Sequence, residues 1–179
     1  MTFVLLGLGS NQNREYHIRA GLDALSERFG ALQISRVFES EAVGCRAANY
    51  FNLVVALETD LPLGELCHWL KRLEDRYGRD RDQKRCDQNL DIDILVFGDL
   101  AGNVDGIELP RAEIVRNAFV LWPLAELVPQ RLHPVLQRTY AELWRRYDRD
   151  QRLWPIEFHW QGRRVSWPDT PDPEQMALR

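Results

Sequence analysis

The stretch Leu90-Asp91-Ile92-Asp93-Ile94-Leu95-Val96-Phe97 decides how this chain is read. Polar and apolar residues alternate along it, which is the pattern of a half-buried β-strand. Leu90, Ile92, Ile94 and Val96 are predicted on one face, and Asp91, Asp93 and Leu95 on the other. The two carboxylates then share a face about 7 Å apart along the strand. So apolar a strand is expected to be central in its sheet. Two carboxylates there repel each other and are costly to desolvate, so a cation is expected beside them. Mg2+ suits them, since it takes hard oxygen ligands and bridges one or two carboxylates to phosphates. The plainer alternative is an exposed strand face with two solvated acids.

The residues just upstream favour the first reading. Arg76-Tyr77-Gly78-Arg79-Asp80-Arg81-Asp82-Gln83-Lys84-Arg85 places five cations in ten positions and runs into the acidic strand. A polyphosphate site needs both parts: arginine and lysine neutralise phosphate oxygens, and aspartate holds the bridging metal. Against this stands a solvated charged loop, in which Asp80 and Asp82 pair locally with the arginines.

Composition bounds the rest. With 179 residues and 45% hydrophobic content, one domain over residues 1–168 is expected, followed by a polar, proline-rich disordered tail at 169–179. A net charge of −4 argues against nucleic acid or an anionic membrane as the main partner. No secretory signal and no membrane-length apolar run is found. Cys45, Cys67 and Cys86 are odd in number and show no paired spacing, so a reduced, cytoplasmic protein is expected. Arg85 would favour a Cys86 thiolate and Asp87 opposes it, so Cys86 is read as structural or incidental. The four histidines give no zinc pattern.

Along the chain, Thr2–Leu8 reads as a buried strand ended by a small-residue turn at Gly7-Leu8-Gly9-Ser10-Asn11. Asn11 or Asn13 is a candidate cap for a helix carrying Ile18, Leu22, Leu25 and Phe29, stopped at Gly30. A strand at 32–38, a loop at 39–48 and a strand at 49–59 follow. Within the last, Tyr50, Asn52, Val54 and Ala56 share one face, and Phe51, Leu53, Val55 and Leu57 the other. An asparagine on a core strand needs partners. Its amide is equally suited to read the edge of a flat heterocycle or to bond a nearby backbone group. Leu63, Leu66, Leu70, Leu73 and Tyr77 make a second helical stripe, stopped at Gly78. After the acidic strand come short helices at 113–117, 118–127 and 139–147, then a hairpin around Gln161-Gly162. The coarse order is β-α-β-β-α-β, so the expected fold class is α+β, a ferredoxin-like sandwich with C-terminal additions that include the hairpin.

These residues resemble a family, the 6-hydroxymethyl-7,8-dihydropterin pyrophosphokinases of folate biosynthesis, from Leu5 to about Pro134. The resemblance is carried by Gly9-Ser10-Asn11, Tyr50-Phe51-Asn52, Glu74 before Gly78-Arg79-Asp80-Arg81, Leu90-Asp91-Ile92-Asp93-Ile94 with Gly98, and Pro110 followed by Phe119-Val120-Leu121-Trp122-Pro123-Leu124. It implies a Mg-dependent enzyme that moves pyrophosphate from ATP, the co-substrate, to the pterin hydroxymethyl group and releases AMP. It also implies that Asp91 and Asp93 hold two Mg2+ ions and that Arg79 and Arg81 act in catalysis. Asn52 would read the pterin, Tyr50 and Phe119 would stack on it, and Ser40 and Val43 would complete the pocket. Glu74, Arg81, Arg85, Arg111 and Arg116 would face ATP. The partners implied are small molecules, ATP and a dihydropterin, met by a monomer or weak homo-oligomer.

The chain also departs from the family pattern. Arg85-Cys86-Asp87-Gln88-Asn89 is one residue shorter than the family's Arg-Trp-Gly-Pro-Arg-Thr loop. Arg111 stands for a histidine, Asn117 for an arginine, with Arg116 one position early, and Ser40-Glu41 for Thr-Pro. Two other readings follow: a pterin- or nucleotide-binding paralogue without turnover, and a phosphotransferase with a non-pterin acceptor. Tyr50 with Asn52 speaks against the second.

Overall fold

The computed structural model describes residues 1–81 and 86–169. Its elements run β1 (Thr2–Ser10), α1 (Arg14–Phe29), β2 (Gln33–Ile34), β3 (Phe38–Ser40), β4 (Tyr50–Thr59), α2 (Leu63–Arg76) and β5 (Asp91–Phe97). They continue with β6 (Gly102–Val104), β7 (Ile107–Leu109), α3 (Glu113–Arg116), α4 (Ala118–Leu127), α5 (Tyr140–Arg145), β8 (Leu153–Pro155), β9 (Phe158–Trp160) and β10 (Arg163–Ser166). The class is mixed α and β around a main antiparallel sheet of order β5-β1-β4-β3-β8, with β2 also on β4.

Strand alternation sorts the core into two layers. Val4, Leu6, Leu8, Leu53, Val55 and Leu57 meet Ile18, Leu22 and Leu25 of α1 and Leu66, Leu70 and Leu73 of α2. Leu5, Val54 and Ala56 point the other way and meet Ile114, Val120, Leu121, Leu124 and Tyr140. The sheet is therefore buried on both sides. That explains near-continuous apolar runs in antiparallel strands, where a polar alternate face is commoner.

Several expectations change. β5 is an edge strand of this sheet, not a central one. It is apolar because both faces are covered and because Arg111 caps its outer edge: the Arg111 backbone N–H donates to Leu95 O at 2.9 Å and its Nε to Ile94 O at 3.1 Å. The alternation in β5 also breaks. The β1–β5 register shifts between Leu5 and Leu6, so Leu95 is an extra residue. Val96 consequently joins the α4 side, and Phe97 the side of Ile92 and Ile94. β1 extends to Ser10, so Gly7 and Gly9 lie within the strand and not in a turn. The strand expected over 32–38 is two short pieces. Ser35 Oγ accepts the Val54 N–H at 2.9 Å, and the chain bulges there before pairing resumes at Phe38. Asn13 occupies the N-cap position of α1 without a side-chain cap bond, and Asn11 is engaged elsewhere.

The C-terminal part has two functions in the fold. β8 pairs with β3 and covers its edge. β9 and β10 form the expected hairpin, tightened by positive φ at Gln161 and Gly162, the geometry of a type I′ turn. Of the tail expected at 169–179, only Asp169 lies within the described residues, and it pairs with Arg36 at 2.9 Å. Among the described residues no helix is long and apolar enough to cross a membrane. The cysteine reading is corrected: Cys45 and Cys86 form a disulfide, and Cys67 is the unbridged thiol. Their 41-residue separation hides the pair in the sequence, and sheet pairing brings their loops together.

Candidate active site

Register builds the floor of the site. Gly9 of β1 lies between Asn52 of β4 and Asp91 of β5, and Gly7 lies between Val54 and Asp93. Asn52 and Asp91 are thus two strand spacings apart, about 10 Å, with only glycine between them. A Cβ on Gly9 would sit 3.0 Å from Asn52 Oδ1. The missing side chains leave a trough between an amide and a pair of carboxylates.

That trough is part of a cavity of about 420 Å3, within the range of small-molecule sites. All five residues expected to bind the pterin line it: Ser40, Val43, Tyr50, Asn52 and Phe119. So do Asp91, Asp93 and Arg111. The Asn52 Nδ2 donates to Ser40 Oγ at 2.7 Å, and both residues are buried. The amide is therefore held by a side chain rather than by nearby backbone. The Tyr50 hydroxyl donates to the Cys86 carbonyl, which fixes its ring as a wall. Burial pushes that hydroxyl's pKa up to about 12, with Asp91 and Asp87 adding to the shift.

The acidic pair is balanced by arginine from two sides. Arg79 Nη1 donates to Asp91 Oδ1 at 2.8 Å and to Glu74 Oε2 at 3.2 Å. Arg111 Nη2 stands 3.8 Å from Asp93 Oδ1. Burial, reinforced by the charge of Asp91 and opposed by Arg111, pushes the Asp93 carboxyl up to about 7. Behind Asp91, Glu74 is a hub. Its Oε2 also accepts the Ile92 N–H at 3.0 Å, and its Oε1 accepts from Arg81 Nη2 at 3.1 Å. Burial raises its pKa, while the Ile92 N–H, Arg79 and Arg81 pull it back.

Other expected residues lie outside the cavity. Glu74, Arg79 and Arg81 stand behind β5 and do not line it. Arg116 is exposed on α3, and its carbonyl accepts from Tyr147 Oη at 2.8 Å. Arg85 lies outside the described residues. Sequence reasoning missed Glu41, Glu113, Asn117, Cys45 and Cys86 in the cavity wall. It also missed Asn11, whose Nδ2 donates to Ala48 O and Cys86 O, each at 3.1 Å, while its Oδ1 accepts the Gln88 N–H at 2.8 Å. In the sequence Asn11 reads as a candidate helix cap and as part of Gly9-Ser10-Asn11, and neither reading signals these bonds.

Asp91 and Asp93 fit a magnesium site: hard oxygen donors two residues apart on one strand face, opposite glycines that leave room for phosphate. Among the described residues no group of three or more His, Cys, Asp or Glu is placed to hold a metal without a substrate.

Similar proteins place the chain in a family. The family model for 7,8-dihydro-6-hydroxymethylpterin-pyrophosphokinase matches residues 5–129, a span that contains every residue lining the cavity. A 2-amino-4-hydroxy-6-hydroxymethyldihydropteridine pyrophosphokinase of Aquifex aeolicus is 32% identical over 144 residues, covering 79% of this chain and 90% of that protein. The protein of the same description from Pseudomonas aeruginosa is 34% identical over 131 residues, covering 70% of this chain and 80% of its own. Among solved structures, Plasmodium falciparum HPPK-DHPS with pteroate superposes with a TM-score of 0.60 at 16% identity, a likeness of fold. The superposition covers 82% of this chain and 42% of that longer one. The glycine-floored cavity, the paired aspartates and the matched span lead to one conclusion: this chain belongs to the 7,8-dihydro-6-hydroxymethylpterin-pyrophosphokinase family.

Proposed function

We propose that this chain is an ATP-dependent pyrophosphokinase of folate synthesis, transferring pyrophosphate to 6-hydroxymethyl-7,8-dihydropterin and releasing AMP. One observation carries the reading: Ser40, Val43, Tyr50, Asn52 and Phe119 line the same cavity as Asp91 and Asp93. The pterin edge lies against Asn52, whose orientation Ser40 sets. Its ring lies against Tyr50 and Phe119. The hydroxymethyl oxygen then points along the glycine floor toward the carboxylates. It attacks the β-phosphorus and gives up its proton to water, the bond from that phosphorus to the α–β bridging oxygen breaks, and AMP leaves. Asp91 and Asp93 would hold magnesium, which would neutralise phosphate charge. Arg111 adds positive charge at the same edge, and Arg79, set by Glu74, orients Asp91. This is positioning and electrostatics with little covalent work for the protein. The strand order β5-β1-β4-β3 supports reading the fold as a ferredoxin-like sandwich.

A pterin-binding module without turnover is the reading favoured by the altered segment Cys86-Asp87-Gln88-Asn89. Mixing the protein with ATP, Mg2+ and the pterin and following AMP by chromatography separates the two. AMP that forms only with pterin present is expected, and it is expected to disappear in Asp91→Asn. Bound pterin with no AMP would replace the enzyme by the module.

A further inference from the structure

Cys45 and Cys86 are joined across the wall of the cavity, with Cα atoms 6.4 Å apart. The two ends of this bridge are anchored differently. On the Cys86 side, Asn11 holds the segment by its N–H to Gln88 O at 3.0 Å and its Oδ1 from Gln88 N at 2.8 Å. The Cys86 carbonyl takes two more bonds, from Tyr50 Oη and Asn11 Nδ2. On the Cys45 side, residues 42–47 connect β3 to β4 and carry Val43, which is 56% exposed. Among the described residues they make no hydrogen bond; the bridged Cys45 Sγ, which carries no hydrogen, lies 3.9 Å from Val43 O. The loop is held at its ends, by Glu41 N–H to Arg152 O at 3.3 Å and by Ala48 O from Asn11 Nδ2 at 3.1 Å. Between those ends, among the described residues, the disulfide alone bonds it to the body.

We propose that Cys45–Cys86 is a reversible thiol–disulfide site that sets the mobility of the 42–47 wall, and with it the rate of ligand exchange at the cavity. The step needs an external dithiol. One of its thiolates attacks a sulfur of the bridge, the Sγ–Sγ bond breaks, and a mixed disulfide forms. The second thiol displaces the protein sulfur, so the dithiol leaves as its own disulfide, and two electrons and two protons remain on Cys45 and Cys86. Both cysteines are half-exposed, which gives the attacking thiolate access. Neither belongs to the two core clusters, so reduction releases a loop without opening the core. The tethered wall is already ordered when a ligand enters and loses less freedom on binding, so the oxidised form is the slower to release it. That the ligand is a pterin rests on the function proposed above. The tether itself does not.

The test compares air-oxidised protein with protein treated with dithiothreitol, alongside Cys45→Ser and Cys67→Ser. Backbone amide NMR order parameters over residues 42–47 read the tether with no ligand present. Stopped-flow release of fluorescent 6-hydroxymethylpterin reads the consequence. Reduction is expected to lower the order parameters across 42–47 from about 0.8 to below about 0.6 and to speed pterin release severalfold. Cys45→Ser should match the reduced form whether or not dithiothreitol is added, and Cys67→Ser should respond like the unmodified chain. Equal order parameters across 42–47 in oxidised and reduced protein would overturn the proposal. So would a response to dithiothreitol that persists in Cys45→Ser, or two unpaired thiols at these positions after treatment with oxidant. Order parameters that respond while no pterin binds in either state uphold the tether and remove the pterin reading.

Discussion

Replacing Glu74 probes the charge network behind the active-site strand. Its side chain is 5% exposed and accepts three bonds: from Ile92 N, Arg79 Nη1 and Arg81 Nη2. Glu74→Gln keeps one acceptor oxygen. If that oxygen stays on Ile92 and Arg79, the new amide N–H2 faces Arg81 Nη2 at 3.1 Å, donor against donor. Arg81 is 38% exposed and can turn to water, so that loss is small, on the order of 0.5 kcal/mol. Arg79 is 19% exposed, and changing its partner from a carboxylate to a neutral amide weakens the bond by about 1 kcal/mol. Relief of the buried charge offsets part of this, as the raised pKa of Glu74 indicates. The expected net loss for Glu74→Gln is about 1 kcal/mol. Glu74→Ala also strands the buried Ile92 N–H and leaves both arginines without this partner, for a loss of about 3–5 kcal/mol. With a urea slope of about 2 kcal/mol/M, the alanine midpoint falls by roughly 1.5–2.5 M and the glutamine midpoint by about 0.5 M. Urea unfolding followed by far-UV circular dichroism measures both. An alanine midpoint within about 0.3 M of the unmodified chain would refute the reasoning, because the cluster would then be solvated and Arg79 would be positioned by Asp91 alone.

Other predictions concern the cavity floor and a buried histidine. Asn52→Ala should weaken pterin binding by roughly 10–100-fold, the loss of one or two buried hydrogen bonds, and leave nucleotide affinity within about twofold. Calorimetry that finds both falling equally removes the pterin-reading role. Gly9→Ala places a methyl 3.0 Å from Asn52 Oδ1, displaces the amide, and should raise the pterin dissociation constant by about tenfold at unchanged nucleotide affinity. An unchanged constant would mean that the trough has slack. His133 is buried, and its Nδ1 accepts N–H bonds from Val135 at 3.2 Å and Leu136 at 3.1 Å. Burial lowers its pKa below the ordinary 6.5. The unfolded chain then takes up the proton first, so stability is full above pH 6.5 and falls as pH drops toward the lower folded value. In His133→Asn, whose oxygen can accept the same N–H groups, that part of the decline between pH 7.5 and 5 should vanish from urea midpoints. Its persistence assigns the decline to other groups.

Where sequence and structure agree, the reason is local. In β4, Phe51, Leu53, Val55 and Leu57 on one face and Val54 and Ala56 on the other sort as the alternation predicts, because an unbroken ladder with β1 keeps the period at two. The stripe Leu63, Leu66, Leu70 and Leu73 packs as one helix face for the same kind of reason. Where they part, a partner strand or a distant loop intervenes. The extra residue at Leu95 reverses the second half of β5, and nothing within the octapeptide signals it, since a bulge is a property of the pair. A cation was expected beside Asp91 and Asp93; which of the chain's arginines stand there, Arg79 from after α2 and Arg111 from after β7, was settled by the tertiary structure.

The sequence by itself determined the faces of the main strands and helices, the family and part of the cavity lining, Ser40, Val43, Tyr50, Asn52, Asp91, Asp93, Arg111 and Phe119, since these depend on residue type and short-range period. Only the tertiary structure decided which of them meet. It set glycine between Asn52 and Asp91, placed Glu74 and Arg79 behind the strand rather than in the cavity, and closed Cys45 on Cys86 across 41 residues. Such contacts arise from the register of one strand on another and from the loops that the register carries along, and no local pattern encodes them.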